Sequence, residues 1–227
     1  MKAFRSHFSL SLMVLALAAP WGAQAQDAKA GAAKAAMCEG CHGIPGYQAS
    51  FPEIHKVPMI SGQNAKYIAS ALDAYRKGDR KHPTMRGVAG SLTDADIADL
   101  SAFYAEHGKG SGAAVPAELA SPVPAELKDR LQVCVACHGA NFSNTTDAAN
   151  PRLAGQHADY LAVALRSYMV DGNPQVGRSN ATMRGMVAQQ VDGKKKATFS
   201  PSEIKQLAAY LSSLPGELKT VKQPPLR

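Results

Sequence analysis

Apolar positions along this chain recur with a helical period. Tyr67, Ile68, Ala71, Leu72 and Tyr75 fall on one face of a helix, and Tyr160, Leu161, Ala164, Leu165 and Tyr168 repeat that arrangement further on. Two later stretches carry helix starts, Thr93 with Asp96 and Ser200 with Pro201 and Glu203, each a capping hydroxyl followed three residues later by a carboxylate. Ile97, Leu100 and Phe103 follow the first cap, and Ile204, Leu207 and Tyr210 follow the second. Alternating strand patterns are nearly absent. The exception is VAQQVDGKKKATF at 187–199, where Asp192 and Gly193 can turn a small hairpin.

The recurrence is a tandem duplication. PMISGQNAKYIASALDAY, from Pro58, lines up without gaps on PRLAGQHADYLAVALRSY, from Pro151, and TMRG at 84–87 lines up on TMRG at 182–185. The hairpin belongs to the second copy alone. Between the copies, GKGSGAAVPAELASPVPAEL, from Gly108, is rich in Gly, Ala, Ser and Pro without a sustained apolar period, which marks a linker. The expected organisation is a domain at 26–107, a linker at 108–124 and a second domain at 125–227. Each unit should be all-α with three or four helices. Units of that size are small for a self-sufficient core and gain from a large apolar object at the centre.

The first 25 residues change the picture of where the protein works. Lys2 and Arg5 precede an apolar run from Phe8 to Ala19 that ends in Ala23, Gln24 and Ala25, the form of a cleaved secretory signal peptide at 1–25. The run falls short of the roughly 20 residues a spanning helix needs. Periplasmic export is therefore expected, with the product soluble or peripheral at the membrane face. The net charge of +7 is mild for the length, and the cluster Lys194, Lys195, Lys196 follows a turn, so nothing predicts a nucleic-acid partner.

Candidate chemistry lies in two copies of one motif. MCEGCHG holds Cys38, Cys41 and His42; VCVACHG holds Cys134, Cys137 and His138. On a helical turn the two thiols at i and i+3 share a side, with the imidazole next to the second. This is the attachment pattern of a c-type haem, in which each thiol adds across a vinyl group and the histidine bonds the iron. A zinc ribbon would want its cysteine pairs about 15–20 residues apart, whereas Cys41 and Cys134 are separated by 93 positions. A disulfide framework would rarely use two tight pairs, each trailed by histidine. The cofactors expected are two covalently bound haem c groups.

The opposite axial position separates an electron carrier from an oxygen or peroxide enzyme. A ligand common to both irons should recur in both copies, and of the methionines after the signal only Met85 and Met183 do. Met59 aligns with Arg152 and Met186 with Val88. His82 aligns with Asn180, and His55, His107 and His157 also lack partners, which reads as surface or structural histidine. Pro58 and Pro151 stand 16 and 13 residues after the motif histidines. Their carbonyls either accept the histidine Nδ1 hydrogen or merely precede a helix. Tyr67, Tyr75, Tyr160 and Tyr168 read as core with a hydroxyl to offer a haem propionate. Arg86 and Arg184 either pair with propionates or stand exposed.

With both CxxCH sites, both PxxxGQ segments, the paired TMRG methionines and the capped closing helices in view, the chain resembles the dihaem cytochrome c4 family. The resemblance covers nearly the whole exported chain. It implies two tandem class I cytochrome c-like domains, each a few helices wrapped around a haem. It implies single-electron transport in the periplasm from a quinol-cytochrome c oxidoreductase to a terminal oxidase, without catalysis of its own. A cytochrome subunit accepting electrons from a periplasmic dehydrogenase predicts the same ligands. A dihaem peroxidase would need an open iron position, against which the paired methionines argue. Two departures, the longer loop from His42 to Pro58 and the QVDGKKKAT region, leave ligation untouched and alter the surfaces that would meet a partner.

Overall fold

The computed structural model describes residues 26–110, 114–119, 121–192 and 194–222; the expected signal peptide, parts of the linker and Gly193 lie outside them. The first half runs α1 (Ala28–Lys34), α2 (Ala36–His42), β1 (Gln48–Ala49), β2 (His55–Lys56), α3 (Ala65–Lys77), β3 (Arg80–Lys81), α4 (Pro83–Gly90) and α5 (Asp94–Glu106). A 3₁₀ turn at Ala125–Leu127 opens the second half, followed by α6 (Lys128–His138), α7 (Ala158–Ser167), β4 (Gly177–Arg178), α8 (Ala181–Val187), β5 (Ala188–Val191), β6 (Lys194–Ala197) and α9 (Pro201–Ser213). Among the described residues no helix is long and apolar enough to cross a membrane.

The periodic faces behave as read. Ile68 and Tyr75 of α3 are buried, as are Leu161 and Ala164 of α7. Ile68, Leu92, Ile97, Leu100 and Tyr104 build one core, and Leu131, Phe142, Leu161, Val187, Ile204, Leu207 and Leu211 lie in the other. Both closing helices carry complete capping boxes, Thr93 with Asp96 and Ser200 with Glu203. Each box satisfies two backbone donors that a bare helix start leaves unpaired. Ser200→Ala is therefore expected to lower unfolding free energy by about 1 kcal/mol, read as a lower denaturation midpoint at unchanged slope.

The first half holds one helix more than expected, because its opening helix is broken. At Ala35 the N–H bonds the carbonyl of Ala32, a tighter i−3 bond, and the chain restarts as α2. The anticipated hairpin forms in the second half alone, β5 and β6 pairing from Ala188↔Ala197 to Val191↔Lys194. Two short pairings carry no sequence signal, since two-residue strands show no alternation. One is β1 with β2 inside the long loop.

The other joins the halves, β3 to β4, with Arg80 opposite Arg178. Around it the halves share a seam. The long loop closes on α7, where the Lys56 N–H donates to Asp159 at 3.0 Å, Glu53 pairs with Arg166, and His55 stacks on Tyr160.

Candidate haem sites

Each cysteine pair occupies the end of a short helix, α2 for Cys38 and Cys41 and α6 for Cys134 and Cys137, and each helix ends at its motif histidine. All four cysteines are free thiols. Burial pushes the Cys38 thiol up and the Cys134 thiol up to about 11, so at neutral pH both are protonated. No cluster of three or more His, Cys, Asp or Glu side chains suited to a metal ion occurs among the described residues.

The histidines are fixed in one tautomer. His42 Nδ1 lies 2.8 Å from the Pro58 carbonyl oxygen, and His138 Nδ1 lies 2.9 Å from that of Pro151. A carbonyl only accepts, so Nδ1 carries the hydrogen in both rings and Nε2 is left with its lone pair. Burial lowers the pKa of both, which keeps the rings neutral at pH 7. The prolines are thus more than helix stops.

Met85 and Met183 occupy the third position of α4 and α8, each half-buried. Neither belongs to the hydrophobic side chains packed against the two cores. Their backbone N–H groups are capped alike, Met85 by His82 Nδ1 at 3.4 Å and Met183 by Asn180 Oδ1 at 3.0 Å. That accounts for the alignment of His82 with Asn180, both serving as cap acceptors. Two of the remaining histidines are engaged structurally: His55 Nδ1 with the Glu53 carbonyl at 2.8 Å, His107 with the Ser61 hydroxyl at 3.0 Å. Met37 and Met186 are exposed, and Met169 packs on the second core.

The arginines read from the sequence are not the buried ones. Arg86 is exposed and Arg184 pairs with Asp171. Arg80, only 9% exposed, donates to the hydroxyls of Tyr67 at 3.2 Å and Tyr160 at 2.7 Å and stacks over the Tyr75 ring. Arg178 donates to the same Tyr160 hydroxyl at 3.2 Å. Among the described residues neither guanidinium has a carboxylate within ion-pair distance, and Arg80 Nε has no partner. Burial alone would raise the Tyr160 hydroxyl, but the two cations beside it hold it down to about 8. A signal for this pair was present, because Arg80 and Arg178 each stand four residues before the threonine of TMRG.

Comparison with known proteins matches residues 129–215 to the cytochrome c family model. Cytochrome c4 of Thiocapsa roseopersicina is 33% identical over 198 residues, 84% of this chain and 94% of the relative. The thiosulfate dehydrogenase electron acceptor of Stutzerimonas stutzeri (strain A1501) is 33% identical over 168 residues, 68% of this chain and 76% of that one. A crystal structure of reduced recombinant cytochrome c4 from Pseudomonas stutzeri, 27% identical, covers 84% of this chain and 100% of its own with a TM-score of 0.59. The duplicated CxxCH helices, the two all-but-strandless cores and this likeness along most of the length have one source: the chain belongs to the dihaem cytochrome c4 family, electron-transfer proteins with two covalently bound haem c groups.

Proposed function

We propose that the protein is a periplasmic carrier of single electrons with one haem in each half, 26–107 and 125–227, joined by the linker at 108–124. Cys38 and Cys41 would hold the first haem and Cys134 and Cys137 the second, each thiol supplying a thioether bond to a vinyl carbon with its hydrogen taken up by the neighbouring carbon. His42 and Met85 would ligate the first iron and His138 and Met183 the second. The observation that carries this reading is the matched pair of proline-held imidazoles, each in the same helical turn as two free thiols, with Nε2 available for bonding. When bound, haem supplies one-electron exchange between ferric and ferrous iron.

The chain's own groups fit the cofactor. The half-buried, unpacked thioethers of Met85 and Met183 offer soft ligands, and histidine with methionine raises the potential relative to harder axial ligands. Arg80 and Arg178, buried cations lacking a carboxylate partner, would pair with haem carboxylates at the seam, with Tyr67 and Tyr160 donating beside them. The cores around Leu100 and Ile204 exclude water and disfavour the more charged ferric site.

The donor and acceptor we infer are a quinol-cytochrome c oxidoreductase and a terminal oxidase, supported by the likeness to cytochromes c4 along 84% of the chain. A second reading, the electron-accepting subunit of a periplasmic dehydrogenase, is favoured by the relative that accepts electrons from thiosulfate dehydrogenase. Co-purification with a dehydrogenase chain separates the two. For the ligands, the far-red sulfur-to-ferric-iron band of the oxidised protein decides. Met85→Ala and Met183→Ala are each expected to remove about half of it, and an unchanged band in both variants refutes the assignment.

A further inference from the structure

The peptide unit between Pro58 and Met59 is bonded at both ends. Its carbonyl accepts the Nδ1 hydrogen of His42 at 2.8 Å, and its N–H, that of Met59, donates to Oε1 of Gln156 in the other half at 3.0 Å. The unit between Pro151 and Arg152 repeats this, its carbonyl 2.9 Å from Nδ1 of His138 and its N–H donating at 2.9 Å to Oε1 of Gln63. The carboxamides return the bond, Gln156 Nε2 to the Met59 carbonyl at 2.9 Å and Gln63 Nε2 to the Arg152 carbonyl at 3.1 Å. The two halves therefore grip each other at the residues that hold the histidines.

The glutamines are built to stay there. They are 5% and 4% exposed, and each Oε1 also accepts the next backbone N–H, from Asn64 or His157. That pattern fixes the amide orientation, since a flipped amide would aim its NH₂ at two donors. Each glutamine follows a glycine with positive φ, Gly62 at 80° and Gly155 at 76°, whose N–H is tied to the closing helix of its own half at Tyr104 or Leu211. A Cβ at position 62 would stand 2.4 Å from the Glu217 carbonyl oxygen. The paired GQ motifs are thus rigid arms reaching across the seam.

We propose that Gln156 is a positioning residue for the His42 site and Gln63 for the His138 site, each haem potential being set in part from the opposite half. This rests on His42 and His138 being the iron ligands. Hydrogen bonds in series polarise one another, by roughly 10–30% per bond. A Pro58 carbonyl whose own amide N–H is bonded accepts more strongly, which makes the imidazole a better donor to iron and favours the ferric state. Losing the glutamine weakens the chain at its far end and raises the potential of the haem it does not share a domain with.

The test uses the full haem-bearing chain with Gln156→Met and Gln63→Met, the two midpoints being assigned by following each haem's proton resonances during a redox titration. Gln156→Met is expected to shift the ferric:ferrous ratio of the first haem by about threefold at fixed potential, about 28 mV upward at 59 mV per tenfold, with a smaller change at the second. Gln63→Met should do the reverse. In the reduced protein the Nδ1–H resonance of His42 should move with Gln156 and that of His138 with Gln63. Gln156→Glu, isosteric and a stronger acceptor, should move the first midpoint downward. Equal shifts of both haems, a shift confined to the substituted half, a Glu shift in the Met direction, or no shift while the far-red band persists would each overturn the relay. A wild type without that band would overturn the methionine assignment alone, the relay being decided by the midpoint shifts.

Discussion

Replacing Cys134 and Cys137 together by serine is expected to leave a protein with a single covalent haem, its intact mass one haem lighter and its haem absorbance about half. A serine hydroxyl does not add to the vinyl carbons, so the second half loses both anchors while the first keeps Cys38 and Cys41. The effect on folding should be unequal as well. A unit of this size is marginal on its own core, so the cluster of Leu131, Phe142 and Ile204 would have to hold the second half without the haem we propose there. The second half should then unfold at lower denaturant than the first, in two steps where the parent shows one. Mass spectrometry and denaturation followed by absorbance check both parts. Two retained haems in this variant would remove the CxxCH assignment.

Arg80→Met is expected to weaken the seam strongly, where Arg86→Met should be nearly silent. Arg80 is the only described donor to Tyr67's hydroxyl, shares that of Tyr160 with Arg178, and covers the Tyr75 ring at 4.6 Å. Hydrogen bonds to charged groups contribute about 1.5–3 kcal/mol, and a buried hydroxyl left without a partner costs about 1–3 kcal/mol. The haem carboxylate we place there would lose its counter-charge too. The expected result is a loss of a few kcal/mol and faster independent tumbling of the two halves, read by unfolding and by relaxation measurements. Arg86 is exposed, and its removal exposes no buried polar atom. Equal behaviour of the two variants would mean that the buried cations hold nothing.

Much of the candidate site was legible because its motifs are local. Two thiols and an imidazole within five residues need nothing beyond one helical turn, and the duplication singled out Met85 and Met183 from the other methionines by position alone. The capping boxes at Thr93 and Ser200 and the hairpin at 188–197 were legible for the same reason, each being a contact between near neighbours in sequence. Arg80 and Arg178 were passed over in favour of Arg86 and Arg184, since an arginine next to the candidate methionine is no more buried in the sequence than one five residues away. What marks Arg80 is its place opposite Arg178 in a ribbon two residues long. The contacts of the long loop were hidden for a similar reason: Asp159, Tyr160 and Arg166 lie about a hundred residues away in the chain.

The sequence by itself determined the duplicated CxxCH motifs and the helices that carry them, because helical period, cap spacing and motif spacing are all written within a few residues. Tertiary structure alone decided how the copies face each other: that the carbonyl beside each histidine is gripped by the glutamine of the other half, and that two arginines share one tyrosine at the seam. Those relations depend on packing two separately folded cores against each other, and no local spacing encodes the angle at which two such cores meet.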